Sequence, residues 1–361
     1  MTTYYHSKYA KRRKKKSRFH RIIMYLLVFL IILALGVAYW MYRVIFYPNV
    51  WIEEGERVSV YIPDGTDFED VKVILYSQGL IINRRNFEWL AREKKYPELI
   101  KAGHYIIRQG MSNNELVNML RAGEQEPVDV IFNNINTKED LAARISSQLE
   151  FDSLQLINLL NDSTFLSQYD FQPENIKVMF IPNTYEFYWT TDPKGFMDRM
   201  YIEHKAFWND RRKALADSIG MSIHEIVTLA SIVEKETNKN DEKDIIAGVY
   251  INRLKRGWLL QADPTLIYAW GDFGIKRVLN IHKQIDSPYN TYKNAGLPPG
   301  PICIPSISSI DAVLHYDRND YLYFCAKEDL SGYHSFSKSH TQHIKNARKY
   351  QEALNELKIY K

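Results

Sequence analysis

The chain has 361 residues, with 47 Lys and Arg against 43 Asp and Glu, a formal net charge of +4. Nine of the basic residues lie within residues 1–21, and no acidic residue precedes Glu53. After Arg43 there remain 37 basic residues against all 43 acidic ones, so the folded part carries negative charge. The overall positive charge therefore reflects a tail, and the sequence excludes a nucleic-acid-binding protein, which would need a basic folded surface.

An uncharged run of 21 residues, 22–42, follows the basic segment directly. A helix of about 20 apolar residues crosses a bilayer, and a one-sided cluster of Lys and Arg keeps its N-terminus in the cytoplasm. A cleaved signal peptide is the alternative, but its apolar region usually has only about 7–15 residues. The sequence predicts a cytoplasmic basic tail (1–21), a single transmembrane helix in the inner (cytoplasmic) membrane (22–42), a stem (43–56) and an extracytoplasmic remainder.

Residues 57–123 have the pattern of a small α+β module with the order β-α-α-β-α. The predicted elements are a strand at 58–62, a helix capped by Thr66 and Glu69, a helix at 84–95, a strand at 104–108, and a helix capped by Ser112 and Glu115. Residues 124–127 form a polar break. A larger α+β domain is therefore expected from 127 to 361.

The larger domain is predicted to be helical from 128 to about 220, with a loop at 180–185. A helix that follows Ser222 is apolar almost all round, as a buried helix would be, and it ends in Glu234 and Glu236. Either carboxyl could lie against apolar surface, which would raise its pKa and suit general-acid catalysis. Either could instead reach solvent and pair with a lysine. Periodicity does not choose between the two glutamates.

Other catalytic patterns fit less well. His224-Glu225 begins like a zinc-protease motif, but Thr228 stands where the second histidine ligand would be. Histidines near the C-terminus lack a matching carboxylate spacing for a metal. A Cys–His peptidase would have to use Cys303 or Cys325, which could also form a disulfide or remain unpaired. The sequence thus predicts no metal and no cofactor.

Several separated motifs resemble those of the endolytic murein transglycosylase family, the YceG-like or MltG proteins. They are residues 231–237 (SIVEKET), 260–265 (LQADPT), 289–292 (YNTY), 296–302 (GLPPGPI), and 332–336 (GYHSF) with His343. Their order and spacing agree with the family from the anchor to the C-terminus. The resemblance implies that residues 57–123 are LysM-like and that 127–361 form a transglycosylase domain.

The resemblance also implies a reaction. Glu234, the first glutamate of the E-K-E-T motif, would cleave the bond between N-acetylmuramic acid and N-acetylglucosamine, leave 1,6-anhydro ends, and so end the elongation of nascent strands. Penicillin-binding proteins would be partners. The residues implied to bind substrate are Gln261, Asp263, Tyr289, Asn290, Thr291, Tyr292 and His334. A two-carboxylate hydrolase using Glu236 or Asp263, and a non-catalytic glycan-binding scaffold, remain the alternatives.

Overall fold

The uncharged N-terminal run forms one continuous helix, α1 (Arg18–Phe46), in the computed structural model, which describes residues 1–2, 18–53 and 55–356. The helix extends four residues beyond the prediction at each end. Its side chains are mostly exposed, although Val44 near its C-terminal end is buried. Helix α1 is long and apolar enough to cross a membrane. Basic residues 8–16 of the predicted tail lie outside the described residues.

The chain divides into two compact units, Met1–Glu126 and Pro127–Lys361. After α1, the first unit contains β1 (Arg57–Ile62), α2 (Phe68–Ser77), α3 (Arg84–Glu93), β2 (Gly103–Arg108) and α4 (Asn113–Ala122). Strands β1 and β2 pair antiparallel, from Arg57 opposite Arg108 to Ile62 opposite Gly103. The predicted order β-α-α-β-α is confirmed.

Local capping explains where these helices begin. Ser112 and Glu115 form the predicted capping box of α4, and Gly123 ends that helix with φ 74°. The predicted box at Thr66 and Glu69 is wrong by one residue, because the N-cap of α2 is Asp67 with Asp70 as its partner. An Asp side chain accepts the same backbone N–H groups as Thr, so both registers satisfy the pattern.

The predicted stem is largely part of the first unit. Val50 and Ile52 are buried in its hydrophobic core. The Nδ2 of Asn49 donates to the Oδ1 of Asn113 at 2.6 Å, and the Nδ2 of Asn113 donates to the carbonyl of Val44 at 2.8 Å. These buried amides connect the end of α1 to α4, so residues 44–52 are packed against the module and do not form a free tether.

Over residues 127–356, the second unit is mostly helical, with two short antiparallel strand pairs. It contains β3 (Val128–Ile131), α5 (Lys138–Ser146), α6 (Ser153–Asn161), α7 (Ser163–Ser167), β4 (Thr184–Phe187), α8 (Pro193–Phe207), α9 (Asp210–Ile219), α10 (Ile223–Glu236), α11 (Lys243–Lys255), α12 (Asp263–Trp270), α13 (Ile307–Leu314), β5 (Tyr323–Ala326), β6 (His334–Ser337) and α14 (His340–Glu356). Strand β3 pairs with β4, and β5 pairs with β6. The pair β3/β4 was not predicted, and β4 overlaps the end of the predicted loop at 180–185.

Helix α10 runs through the core of this unit. Every residue from Ile226 to Val233 is buried, as the all-round apolar pattern predicted. The helix packs against α9, α11, α12 and α13 and ends at Glu236, after which Thr237 is extended. Its last turn therefore places two glutamates at the edge of the core, among neighbouring helices.

Candidate active site

One carboxylate oxygen of Glu234 is held by three donors. Its Oε2 accepts hydrogen bonds from the hydroxyl of Ser306 at 2.5 Å, from the hydroxyl of Ser309, and from the Nζ of Lys243 at 3.1 Å. The side chain of Lys243 is 5 % exposed and that of Glu234 is 28 % exposed. The hydrogen bonds found for this carboxyl in the described part of the chain all go to Oε2, which leaves Oε1 without a partner there.

Helix ends position these donors. Ser306 is the N-cap of α13 and accepts the backbone N–H of Ser309, so both hydroxyls lie at the positive end of that helix. Lys243 is the first residue of α11, which packs against both α10 and α13. A carboxylate at this junction meets a helix N-terminus and an ammonium together.

These surroundings lower the pKa of Glu234. Burial by itself raises that pKa, but hydrogen bonds from Ser306 and Ser309 and the charge of Lys243 outweigh burial. The expectation of a raised pKa, based on apolar neighbours along α10, is therefore wrong. The free chain holds this carboxyl ionised at neutral pH, ready to accept a proton, and it becomes a proton donor only after protonation.

Glu236 lies in a different environment. Its Oε1 accepts the hydroxyl of Tyr250 at 2.5 Å. The pKa of Glu236 is raised to about 7: burial raises it most and the nearby charge of Asp263 also raises it, while the Tyr250 hydrogen bond and Arg253 oppose the change. The two glutamates thus contact different neighbours, which agrees with their separation of about 200° around a helix of 3.6 residues per turn.

Part of the predicted binding set gathers near Glu236. The backbone N–H of Gln261 donates to the carbonyl of Thr291 at 3.1 Å, and the hydroxyl of Tyr292 donates to Asp263 at 2.5 Å. Asp263 is the exposed first residue of α12, with Ala262 at the N-cap. Its carboxylate is available to Tyr292 and to solvent.

Two residues of the predicted binding set are structural. Asn290 is fully buried and donates its amide to the carbonyls of Lys283 and Ile285. Thr291 is 2 % exposed, and its hydroxyl accepts the backbone N–H of Ala262 at 3.0 Å. Buried irregular backbone needs such partners. Both side chains therefore hold the loops together, and their predicted contact with substrate stays a prediction.

The remaining two predicted residues, His334 and Tyr289, contact different neighbours. The Nδ1 of His334 is 3.0 Å from the Oε2 of Glu242. The other carboxylate oxygen of Glu242, Oε1, accepts the backbone N–H of His334. Glu242 precedes Lys243, so His334 is connected to the N-terminus of α11. Tyr289 instead packs on Tyr268, with ring centroids 4.8 Å apart.

Three donors to Glu234, namely Lys243, Ser306 and Ser309, were not among the predicted site residues. Ser306 follows Pro305 at the start of an apolar run and precedes Ser309 by three residues, which is an N-cap signal for α13. That signal predicts a helix start, and a helix start attracts a carboxylate. The pairing with Glu234 itself had no local signal.

The alternative catalytic patterns gain no support. Burial raises the pKa of the Cys303 thiol to about 12, which disfavours the thiolate that a nucleophile needs. Cys303 and Cys325 are both free, so they do not form a disulfide. Within residues 1–2, 18–53 and 55–356, no group of three or more His, Cys, Asp or Glu side chains is arranged to hold a metal ion.

Lys243→Met is expected to raise the pKa of Glu234, because the variant loses the ammonium beside the carboxylate while both serine hydroxyls remain. A ¹³C NMR titration of the glutamate carboxyls, with Glu234 assigned through Glu234→Gln, measures the change. Lys255→Met is the control, since Lys255 contacts the hydroxyl of Tyr316. An unchanged Glu234 titration in Lys243→Met would show that the serines alone set this pKa.

Comparisons with known proteins agree with the fold and the motifs. The profile of the YceG-like family matches residues 60–349. The chain is 32% identical over 317 residues to the endolytic murein transglycosylase of Bacillus subtilis (strain 168), covering 83% of this chain and 86% of that relative. It is 30% identical over 332 residues to that of Streptococcus pneumoniae serotype 2, covering 83% of this chain and 60% of the relative.

A solved structure agrees as well. The 2.6 Å crystal structure of a yceG-like protein from Listeria monocytogenes aligns with a TM-score of 0.55 at 29% identity, covering 80% of this chain and 98% of that chain. Because the family profile spans most of the sequence and the relatives align along most of its length, the chain belongs to the YceG-like family.

Proposed function

We propose that this chain is an endolytic peptidoglycan lytic transglycosylase with Glu234 as its catalytic acid and base. The observation that carries the proposal is the asymmetric binding of this carboxyl: Oε2 is fixed by Lys243, Ser306 and Ser309, while Oε1 has no partner in the described chain and the side chain is 28 % exposed. A fixed carboxyl with one open oxygen can exchange a proton with a bound sugar. The transglycosylase names of the relatives support the same assignment.

The reaction needs a single proton-exchanging group. Protonated Glu234 gives its proton to the oxygen between N-acetylmuramic acid and N-acetylglucosamine, and the bond from C1 to that oxygen breaks. The muramyl 6-hydroxyl then attacks C1, forms the 1,6-anhydro bond and returns its proton to Glu234. The carboxyl is therefore protonated again after each turnover.

The lowered pKa of Glu234 limits the first step. The free carboxyl must be protonated before it can act as an acid, and a bound glycan strand favours protonation by excluding water from a partly buried group. Once Glu234 is protonated, Lys243 and the two serines favour the transfer of its proton, because they stabilise the carboxylate that this transfer leaves. The same donors thus make the protonated form rare but a stronger acid, and they make the carboxylate a weaker base in the second step.

The structure offers one specific reason to keep a hydrolase as the second candidate. Glu236 has a pKa of about 7 and lies near Asp263, so this pair contains a carboxyl that can be protonated at neutral pH. A two-carboxylate hydrolase adds water at C1 and leaves a reducing end. A non-catalytic scaffold would not need Glu234 to be fixed by three donors.

Mass spectrometry of products from purified glycan strands tests the proposal. We expect internal cleavage and fragments that end in 1,6-anhydro-muramic acid, each lighter by one water than the corresponding hydrolysis product. Reducing ends in place of anhydro ends would identify a hydrolase, with Glu236 and Asp263 as the candidate additional carboxyl groups. Intact strands would favour the scaffold.

The rest of the chain suits an enzyme of the cell wall. We propose that α1 anchors the chain in the cytoplasmic membrane with residues 1–21 in the cytoplasm, that 57–123 form a LysM-like module that orients glycan, and that 127–361 form the extracytoplasmic catalytic domain. Penicillin-binding proteins that polymerise glycan are the partners we propose. The uncharged length of α1 and the basic residues before it support this topology.

A further inference from the structure

A buried lysine outside the proposed catalytic site lacks an acidic partner. Lys177 is 3 % exposed and lies in the short 3₁₀ segment Ile176–Met179. Its Nζ donates to the carbonyl of Asn136 and to the hydroxyl of Tyr268, both at 3.1 Å. Among the residues that the structure describes, no carboxylate forms an ion pair with it.

A buried lysine without a counter-ion is unfavourable when no ligand is bound. A buried ammonium without a counter-ion loses its hydration and gains only neutral acceptors, so it either becomes neutral or pairs with an anion. The pKa of Lys177 is lowered to about 7, mainly by burial and also by the charge of Lys138, while Cys303, Glu139 and Asp140 oppose the change. An anion that enters the site would restore the charged form.

A cavity next to Lys177 could admit such an anion. Its volume is about 440 Å³, and its lining combines Lys177 with the aromatic rings of Tyr268, Tyr289 and Phe273. The carboxylates of Glu139 and Glu174 also line it, together with Lys138. Because the lining carries both signs of charge, it suits a ligand with both an acidic and a basic group better than a polyanion such as a phosphate ester.

A second, smaller cavity extends to helix α10, the helix that carries Glu234. Its volume is about 240 Å³, and it shares Tyr268 and Phe273 with the first cavity. It is also lined by Lys235, the residue after Glu234. A strand that is cleaved at Glu234 could therefore place a neighbouring substituent beside Tyr268.

We propose that the cavity at Lys177 is a subsite for the peptide substituents of murein, with Lys177 binding a peptide carboxylate. Tyr268 and Tyr289 contact the aliphatic and amide surfaces of the peptide, and Glu139 and Glu174 face its amino group. The inference rests on the proposed transglycosylase function and adds a substrate preference to it: the enzyme favours strands that carry peptides over strands from which an amidase has removed them.

The first experiment compares the two kinds of strand with the full-length chain in detergent. The quantity measured is the ratio of kcat/KM on peptide-bearing strands to kcat/KM on peptide-free strands. Lys177→Met is expected to lower this ratio by about 10- to 100-fold, the range that hydrogen bonds to charged groups supply. Lys194→Met is the matched control, since Lys194 pairs with Asp198 on the surface and should leave the ratio unchanged.

Calorimetry gives a second, independent measurement. N-acetylmuramyl dipeptide is titrated into the full-length chain at pH 8 in two buffers of different ionisation enthalpy. Because Lys177 is mostly neutral at pH 8, binding a carboxylate should take up about one proton per site. The dipeptide with its carboxyl amidated should bind more weakly and take up no proton, and Lys177→Met should show no uptake.

The outcomes separate this inference from the proposed function. Anhydro products at equal rates from both kinds of strand, or proton uptake that persists in Lys177→Met, would overturn the subsite and leave the transglycosylase intact. An absence of anhydro products from either strand would instead overturn the function. If Lys177→Met does not fold, Tyr268→Phe removes the hydroxyl that holds Nζ and must lower the same ratio for the subsite to stand.

Discussion

Glu234→Gln is expected to lower turnover on purified glycan strands by about 10²–10⁴-fold or more, since general acid–base catalysis typically supplies that factor and one residue serves both steps. The fold should persist, because the amide oxygen can still accept hydrogen bonds from Ser306 and Ser309. Turnover is measured as the rate of formation of anhydro ends, with circular dichroism as the check on folding.

Two further glutamates serve as controls. Glu203→Gln removes a surface carboxyl that pairs with Arg199 and should leave turnover unchanged. Glu236→Gln should reduce turnover less than Glu234→Gln, because Glu236 contacts Tyr250 and lies away from the donors that fix Glu234. If Glu234→Gln turns over at the parental rate while Glu236→Gln is inactive, the catalytic carboxyl is Glu236.

The pH dependence of the parent follows from the lowered pKa of Glu234. Only the protonated form can donate to the glycosidic oxygen, and that form becomes rarer as pH rises above the lowered pKa. Turnover limited by the first step should therefore increase as pH falls toward that pKa. The apolar positions along α10 predict a pKa change in the other direction, to a value above that of an ordinary glutamate.

This reversal shows which part of the site can be read from local sequence. The buried face of α10 and its capping box at Ser222 and Glu225 depend on residues a few positions apart, and both were predictable. Two of the three donors to Glu234 lie far away in sequence: Ser306 is 72 residues on and Ser309 is 75, while Lys243 is 9 residues on, in the next helix. Since the sign of the pKa change depends on those donors, periodicity along one helix could not give it.

In the fold, too, features set by nearby residues were predictable and features set by distant residues were not. The order β-α-α-β-α within 57–123 was predictable from alternation and capping signals over short windows. Strands β3 and β4 have only four residues each and are separated by about fifty, so neither carries a distinct pattern alone. Val50 and Ile52 in the predicted stem became core residues only through contacts with distant elements of the first unit. Motif resemblance selected Glu234, and it also included Asn290 and Thr291, which are buried supports of the loops.

Glu236→Gln should stabilise the second unit at alkaline pH. Glu236 has a pKa of about 7 in the fold against an ordinary value of 4.5, because burial disfavours its charged form. Below pH 4.5 the carboxyl is protonated in both the folded and unfolded chains and has no effect on stability. Between 4.5 and about 7 the folded chain binds more protons, so stability falls as pH rises, and the full penalty is present above about pH 7.

The penalty that glutamine would relieve is at most about 3.5 kcal/mol, since the pKa differs by about 2.5 between the folded and unfolded chains and one pKa unit corresponds to about 1.4 kcal/mol. The glutamine carbonyl can still accept the hydroxyl of Tyr250. Thermal unfolding of the full chain at pH 5 and pH 8 should therefore show a higher Tm for Glu236→Gln at pH 8 and a smaller difference at pH 5. Glu234→Gln should have the opposite sign at pH 8, because a carboxyl with a lowered pKa adds stability above its ordinary pKa and loses it as pH falls. A lower Tm for Glu236→Gln than for the parent at pH 8 would mean that the ionised carboxylate of Glu236 stabilises the fold, with Arg253 outweighing the cost of its burial.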